Sequence, residues 1–412
     1  VAVLADRFDP ADPELRVDPY PIYRRFREAD PVHWGLSSLA GFPGAWYIFR
    51  HDDVVSILRD SRFGKERPAT DFATADARPE RTTVPEAART FFGTARQWVV
   101  HRDPPDHTRL RDLLRPHFAP AAVARLRPRI AAIAADLLDG IARRGGGDLI
   151  ADYAYPLPVA VIAEMIGLPA DGRDLLVECS RHWQAVDVST TDETWRGAGD
   201  AIDAARDYLR VLVRRRDRGT GDLIDVLAGG RDTGEVVSED ELLANIMFLF
   251  VAGAGFQTTT GLIGSGLHLL LSDREQWDRL ADRPGLLPSA IDEALRYEPP
   301  VQTTNRIARE AVTVGGRTIG AGDSVLVVFA AANRDPAVFP DPDRFDITRT
   351  GRANHSFGVG IHYCLGGPLA AVEAEIAIGA LRTRLPGLRP AGPAAWNPMV
   401  SLRVLQTLPV AC

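Results

Sequence analysis

One stretch constrains this chain more than any other: His355-Ser356-Phe357-Gly358-Val359-Gly360-Ile361-His362-Tyr363-Cys364-Leu365-Gly366-Gly367-Pro368. Glycines on both sides of a single cysteine let the backbone take positive φ and approach a flat partner closely, which a Cβ would obstruct. The sulfur is thereby presented. Past it, Leu369, Val372, Ile376 and Leu381 fall at helical spacing, and Pro368 suits only a first turn. A cysteine at a helix N-terminus faces the positive end of the dipole, which favours its thiolate and hence metal ligation. An inert core cysteine is the plainer alternative. A phosphate cradle fits poorly, because the loop lacks the Lys-Ser/Thr ending and the spacing of nucleotide sites.

Composition narrows the class. The 412 residues are 45% hydrophobic and 25% charged with a formal net charge of -7, as in a globular protein with ample core, and the negative balance argues against nucleic-acid binding. Cys179, Cys364 and Cys412 are too few and too irregular for a disulfide framework, so a reducing, cytoplasmic setting is expected. Val1 to Arg7 carries charges almost at once, which predicts neither a signal peptide nor a membrane anchor. Basic charge is almost all arginine, with Lys65 the exception.

Along the chain, Trp46 to Phe49 reads as a strand and Val54 to Leu58 as a helix. Residues 67 to 96 are irregular and carry Phe72, Phe91 and Phe92, and so long a loop is usually functional or disordered. Pro104-Pro105-Asp106 opens a helix that sets His107 and Arg111 on one face, with Arg102, Arg109 and Arg115 adding positive charge. Residues 121 to 227 read as successive amphipathic helices without a catalytic motif. Ser238 and Glu241 form a capping box for one long central helix to Leu271, apolar nearly all round. Gly253, Gly255 and Thr258-Thr259-Thr260 inside it are costly, which predicts a functional distortion. Glu293 and Arg296 share a helix face, Val301 to Arg309 is extended, and Gly315-Gly316 turns a hairpin before a strand at Ser324 to Val328.

Phe357-x-x-Gly360-x-x-x-Cys364-x-Gly366 resembles the haem-binding loop of the cytochrome P-450 superfamily, and four further motifs follow in that family's order. The resemblance implies a single domain over 1–412, mainly α with small segregated β-sheets, β-rich in 1–65 and 300–412 and helical in 100–298. It implies haem b (iron protoporphyrin IX) with Cys364 as proximal iron ligand and Phe357, Gly358 and Gly366 cradling the haem. It gives His107, Arg111, Arg306 and His355 to the haem propionates, and Glu293, Arg296 and Arg344 to a buried ion cluster. The catalytic set would be Ala254, Gln257 and Thr258: Ala254 and Thr258, one turn apart, face the iron and the Thr258 hydroxyl holds a water for proton delivery. Gln257 departs from the pattern, since the family has an acid there and an amide cannot titrate. Phe91, Phe92, Phe250, Val301, Thr303, Met399 and Val400 are expected to line the substrate pocket, and residues 181–195 to form part of a lid.

The function this implies is oxidation of a small organic molecule, hydroxylation or epoxidation of a bacterial natural-product intermediate. O₂ would be the oxidant, with electrons from NAD(P)H through a ferredoxin or flavodoxin and its reductase. The arginines at 102, 109 and 115 would form a docking face for the acidic electron carrier. A monomer that binds neither membrane nor nucleic acid is expected. Alternatives are radical coupling, desaturation or peroxide-driven oxidation, prompted by Gln257, or a haem-thiolate gas or redox sensor. A zinc enzyme is disfavoured, because His and Cys lack zinc-like spacing.

Overall fold

The structure, a computed structural model, describes residues 7–37, 44–66, 86–186, 190–216, 219–236, 238–255, 257–351, 354–397, 399 and 401–412. Helices dominate and the strands are short and grouped apart from them, the expected fold class. The principal sheet contains β1 (Val32–Gly35), β2 (Ala45–Ile48), β3 (Phe63–Gly64), β4 (Thr303–Ala308) and β5 (Ser324–Val328), in the order β1-β2-β5-β4-β3. Only β2 and β5 run parallel, with Trp46 opposite Val325. Val325 and Val327 are buried while Ser324 and Leu326 are half-buried, the alternation a pleated strand imposes. Gly315 and Gly316 take φ of +54° and +80°, which suits the two-residue turn between Val312–Val314 and Arg317–Ile319.

Five helices position the site: α1 (Asp106–Leu114), α2 (Glu239–Phe250), α3 (Thr258–Ser272), α4 (Leu287–Tyr297) and α5 (Gly367–Arg384). The Ser238 hydroxyl accepts the Glu241 N–H at 3.1 Å, and Glu239, Asp240 and Glu241 complement the dipole of the first turn of α2. α5 packs on α3, on α4 and on Pro120–Arg144 around one large apolar core that includes Leu138, Ile263, Leu267, Ala374 and Ile378. The 239–272 stretch is long and apolar enough for a bilayer, yet most of it is buried inside the protein.

The single central helix expected from 238 to 271 is instead two. α2 runs into a π-helical turn, Val251–Gly255, and Gln257 stands in the left-handed region (φ 55°, ψ 26°) before α3 restarts. Glycine-rich sequence makes the helical state at 253–255 weak, and a residue in a sparsely populated conformation costs on the order of 1–3 kcal/mol. This break realises the distortion expected there and moves its corner to Gln257. Phe91 and Phe92 also differ from expectation, since they lie on a short helix, Arg89–Ala95, and not in a loop. Phe72, with residues 67–85, falls outside the described residues.

Candidate active site

Cys364 sits where the glycine loop runs into α5. Gly358 and Gly360 take φ of +77° and +79°, and a Cβ on Gly360 would lie 2.8 Å from the Leu58 carbonyl oxygen. The Cys364 N–H donates to the Phe357 carbonyl and the Gly358 N–H to that of His355, both at 2.8 Å, so the loop closes on itself. It is also held from behind. Ser356 Oγ donates to the Leu295 carbonyl (2.7 Å) and accepts from Asn333 Nδ2 (2.8 Å), and Asn333 Oδ1 accepts the His355 N–H (3.1 Å).

The Cys364 sulfur is accessible, but to an interior cavity. Burial pushes its thiol up, against backbone N–H groups of Gly366 and Gly367 and the charge of Arg111. Helix-end stabilisation of the thiolate, as expected from sequence, is therefore outweighed by desolvation in the protein alone. A coordinated metal cation would offset that desolvation and favour the thiolate.

The cavity measures about 740 Å³ and separates the Cys364 loop from the break between α2 and α3. Phe357, Gly358, Leu365 and Gly366 line one side, and Ala252, Gly253, Thr258 and Thr259 line the other. Gly253 has no room for a side chain, since a Cβ would meet Ile162 Cγ1 at 2.8 Å. Thr258 Oγ1 donates across the break to the Ala252 carbonyl at 3.3 Å. The expected pairing of Ala254 and Thr258 one helical turn apart fails, because the π turn and the left-handed Gln257 intervene. The Ala254 methyl is outside the described residues. Gln257 is half-buried, is not on the cavity wall, and makes no side-chain hydrogen bond among the described residues.

A third wall is positive. His107 and Arg111 of α1, Arg306 of β4, Lys65 and His362 all reach the cavity. Arg111 donates to the Tyr363 carbonyl (2.6 Å) and Arg306 to that of Asn305 (2.8 Å). Among the described residues none of Lys65, Arg111 and Arg306 pairs with a carboxylate, and the buried His107 Nδ1 and His362 Nε2 have no partner at all. Burial and the surrounding cations together hold His362 far below the ordinary imidazole range. Unpaired buried cations are costly, so this wall is built for an anion. A sulfur on one side and a cationic rim beside it fit an iron porphyrin with two carboxylates.

Two site expectations change. His355 is off the cavity, its ring 4.8 Å from that of His51, whereas His362 lines the cavity with its ring 4.3 Å from that of His107. The loop places the residue two before the cysteine inward and the one two before Phe357 outward. Arg344 is not the third member of the Glu293 cluster, since its side chain is 67% exposed and among the described residues reaches only Asp346. Arg349 takes that place: Glu293 receives Arg296 Nε at 2.7 Å and Arg349 Nε at 3.1 Å, plus the Asp346 N–H at 2.9 Å. The turn with Asp341 at φ +46° directs the Arg344 carbonyl inward instead, where it accepts from both arginines at 3.0 Å.

Comparison with known proteins agrees with this geometry. The family model "Cytochrome P450", a cytochrome P-450 domain, matches residues 186–383. The 6-deoxyerythronolide B hydroxylase of Saccharopolyspora erythraea is 36% identical over 96% of this chain and 96% of its own. The mycinamicin IV hydroxylase/epoxidase of Micromonospora griseorubida is 38% identical over 89% of each. The chain belongs to the cytochrome P-450 family. Among solved structures, P-450BioI in complex with a hexadec-9Z-enoic acid-ligated acyl carrier protein superposes with a TM-score of 0.87, at 32% identity over 97% of this chain and 100% of that one. The protein is thus a haem-dependent oxidoreductase.

The remaining wall of this cytochrome P-450 cavity is aromatic. Phe91, Phe92, Val301, Thr303 and Met399 line it, joined by Trp183 from the stretch expected to form part of a lid and by Trp98 and Phe248, which sequence reading did not single out. Trp98 and Trp183 stack at 4.2 Å and Phe91 lies 4.1 Å from Trp183. Phe250 does not take part. It is fully buried in the core behind α2, because Phe248 and Leu249 occupy the cavity face of that turn. Val400 falls outside the described residues. The expected docking arginines are largely committed elsewhere: Arg109 pairs with Glu241 (2.7 Å) and Asp106, and Arg102 with Asp106 and Glu66.

Glu373 of α5 also faces the cavity, buried and without a hydrogen-bond partner among the described residues, and burial pushes its carboxyl up to about 8. An acid with a raised folded-state value stabilises the fold below its unfolded value of 4.5 and loses that contribution as pH climbs to about 8. Thermal stability should therefore decline over that window, and Glu373→Gln should flatten the decline. Parallel Tm profiles for the two proteins between pH 5 and 9 would exclude this carboxyl as the cause.

Proposed function

We propose that the protein is a haem-thiolate monooxygenase that hydroxylates or epoxidises a small, largely apolar organic molecule, a bacterial natural-product intermediate. The single observation that carries this is the cavity with the Cys364 sulfur on one side and the Thr258 break on the other. When bound, the haem supplies oxygen activation, favoured by electron donation from an anionic sulfur. Cys364 would ligate the iron, while His107, Arg111, Arg306 and His362 would hold the haem carboxylates. Trp98, Trp183, Phe91 and Phe92 exclude water and present flat apolar surface to the substrate. The Thr258 hydroxyl, released from the Ala252 carbonyl, can hold a water for proton delivery into the cavity. Both relatives above bear names of hydroxylases, which supports the reaction class. Electrons would come from NAD(P)H through a ferredoxin or flavodoxin and its reductase.

NAD(P)H-dependent product formation with a surrogate ferredoxin pair tests the proposal, using substrates found by spectral screening of a natural-product library. A protein that binds ligands but never turns them over under these conditions would be a sensor instead. Gln257 favours a second reading, in which proton supply is limited and the chemistry shifts toward radical coupling or desaturation. Gln257→Asp or Gln257→Glu is expected to change the fraction of reducing equivalents reaching product by about twofold or more. Unchanged rate and coupling in both variants would show that this corner does not limit the reaction.

A further inference from the structure

Lys65 is the only lysine in the chain, and it is buried against the cavity. It follows β3, whose Gly64 pairs with Ile307 of β4, so its side chain comes up beside the preceding β4 residues. Nζ donates to Asn305 Oδ1 at 2.9 Å and to Thr304 Oγ1 at 3.1 Å. Both acceptors are neutral, and an ammonium has three N–H groups. Asp103 is close by but already used: it accepts the backbone N–H groups of Lys65 and Glu66 and pairs with Arg309 at 2.8 Å. No carboxylate pairs with the ammonium among the described residues. Burial without an opposite charge penalises an ammonium more than almost any other arrangement, and Arg306 beside it adds repulsion. A lysine kept only to bond two neutral oxygens could be an amide.

We infer that the Lys65 ammonium is an anchor for one of the haem carboxylates, sharing it with Arg306. This rests on the haem reading above. Position favours the haem over a substrate acid: Lys65 bonds the residues immediately before Arg306 on β4, and its charge acts on His362, two residues from Cys364, as well as on His101, whose ring stacks on Trp98.

The test compares wild-type, Lys65→Arg and Lys65→Gln holoenzymes, first by the carbon monoxide difference spectrum of the reduced proteins. Absence of a haem-thiolate spectrum in the wild type would be a failure of the haem reading itself, separate from this inference. With holoenzyme in hand, haem transfer to excess apomyoglobin and the substrate-free reduction potential are measured. Lys65→Gln is expected to release haem about tenfold faster, the scale of a lost charge-assisted hydrogen bond, and to have a lower potential. Lys65→Arg should restore both. Equal haem release and potential in all three would overturn the assignment. So would a change confined to weaker binding of long-chain carboxylic acids relative to their alcohols, which would place the ammonium's partner on the substrate. Should Lys65→Gln not fold, amine acylation of the wild-type holoenzyme decides: resistance of the single lysine until haem is lost supports the anchor, and free acylation with haem retained overturns it.

Discussion

Cys364→Ser is expected to reduce NAD(P)H-dependent oxidation to background and to remove the thiolate signature from the carbon monoxide difference spectrum of the reduced protein. The reasoning is one of position. Of the three cysteines, Cys179 is buried and its thiol is pushed up to about 12 by desolvation, while Cys412 lies at the chain end, away from the cavity. Of the three cysteines only Cys364 lines the cavity, at the start of α5 and beside two backbone N–H groups. A serine there retains the loop, whose closure depends on backbone groups of Phe357 and Cys364, but offers a far weaker electron donor. Thiolate-type spectra from the variant would mean that another cysteine moves in, which the burial of Cys179 opposes.

The second large effect is on folding and haem retention. Glu293→Ala removes the only carboxylate that pairs with Arg296 and Arg349 among the described residues, leaving two guanidinium groups against five backbone carbonyls, those of Asn333, Pro340, Asp341, Pro342 and Arg344. Breaking a buried pair by removing one partner costs about 3–5 kcal/mol, a large share of the roughly 5–15 kcal/mol by which folded proteins are stable. The cost falls on the site because Arg296 also donates to the Asn333 carbonyl (3.1 Å), and Asn333 holds Ser356 and His355 at the start of the cysteine loop. The expected result is a protein that accumulates poorly and takes up little haem. Arg344→Ala should be nearly neutral in the same assay, since that side chain is in solvent. Normal haem content in Glu293→Ala, or its loss in Arg344→Ala, would contradict this account of the cluster.

What could be read from sequence divides by the range of the interactions involved. The glycine loop, the Ser238 cap, the Gly315-Gly316 hairpin and the Val325/Val327 strand are local, and each appears where backbone preferences put it. Residues brought together by tertiary contact were harder to place. Arg344 and Arg349 are five apart on an irregular segment, and only the turn at Asp341 decides which side chain turns inward. His355 and His362 flank the same loop, and their facing depends on how Gly358 and Gly360 wind it. Lys65 carried one signal, its being the only lysine, but nothing local told that it would be buried beside Arg306. The break at Gln257 was foreshadowed by glycines and threonines, yet the left-handed residue proved to be the glutamine. Glu373 gave no warning, because a lone glutamate on a helix is ordinarily solvated.

The most direct measurement is X-ray absorption at the iron edge of the purified, substrate-free protein, beside that of Cys364→Ser. Sulfur bonded to iron in the wild type and absent from the variant is the expected result. Iron bonded only to nitrogen and oxygen, or a purified protein that carries no iron porphyrin, would contradict the assignment of Cys364 and every role built on it.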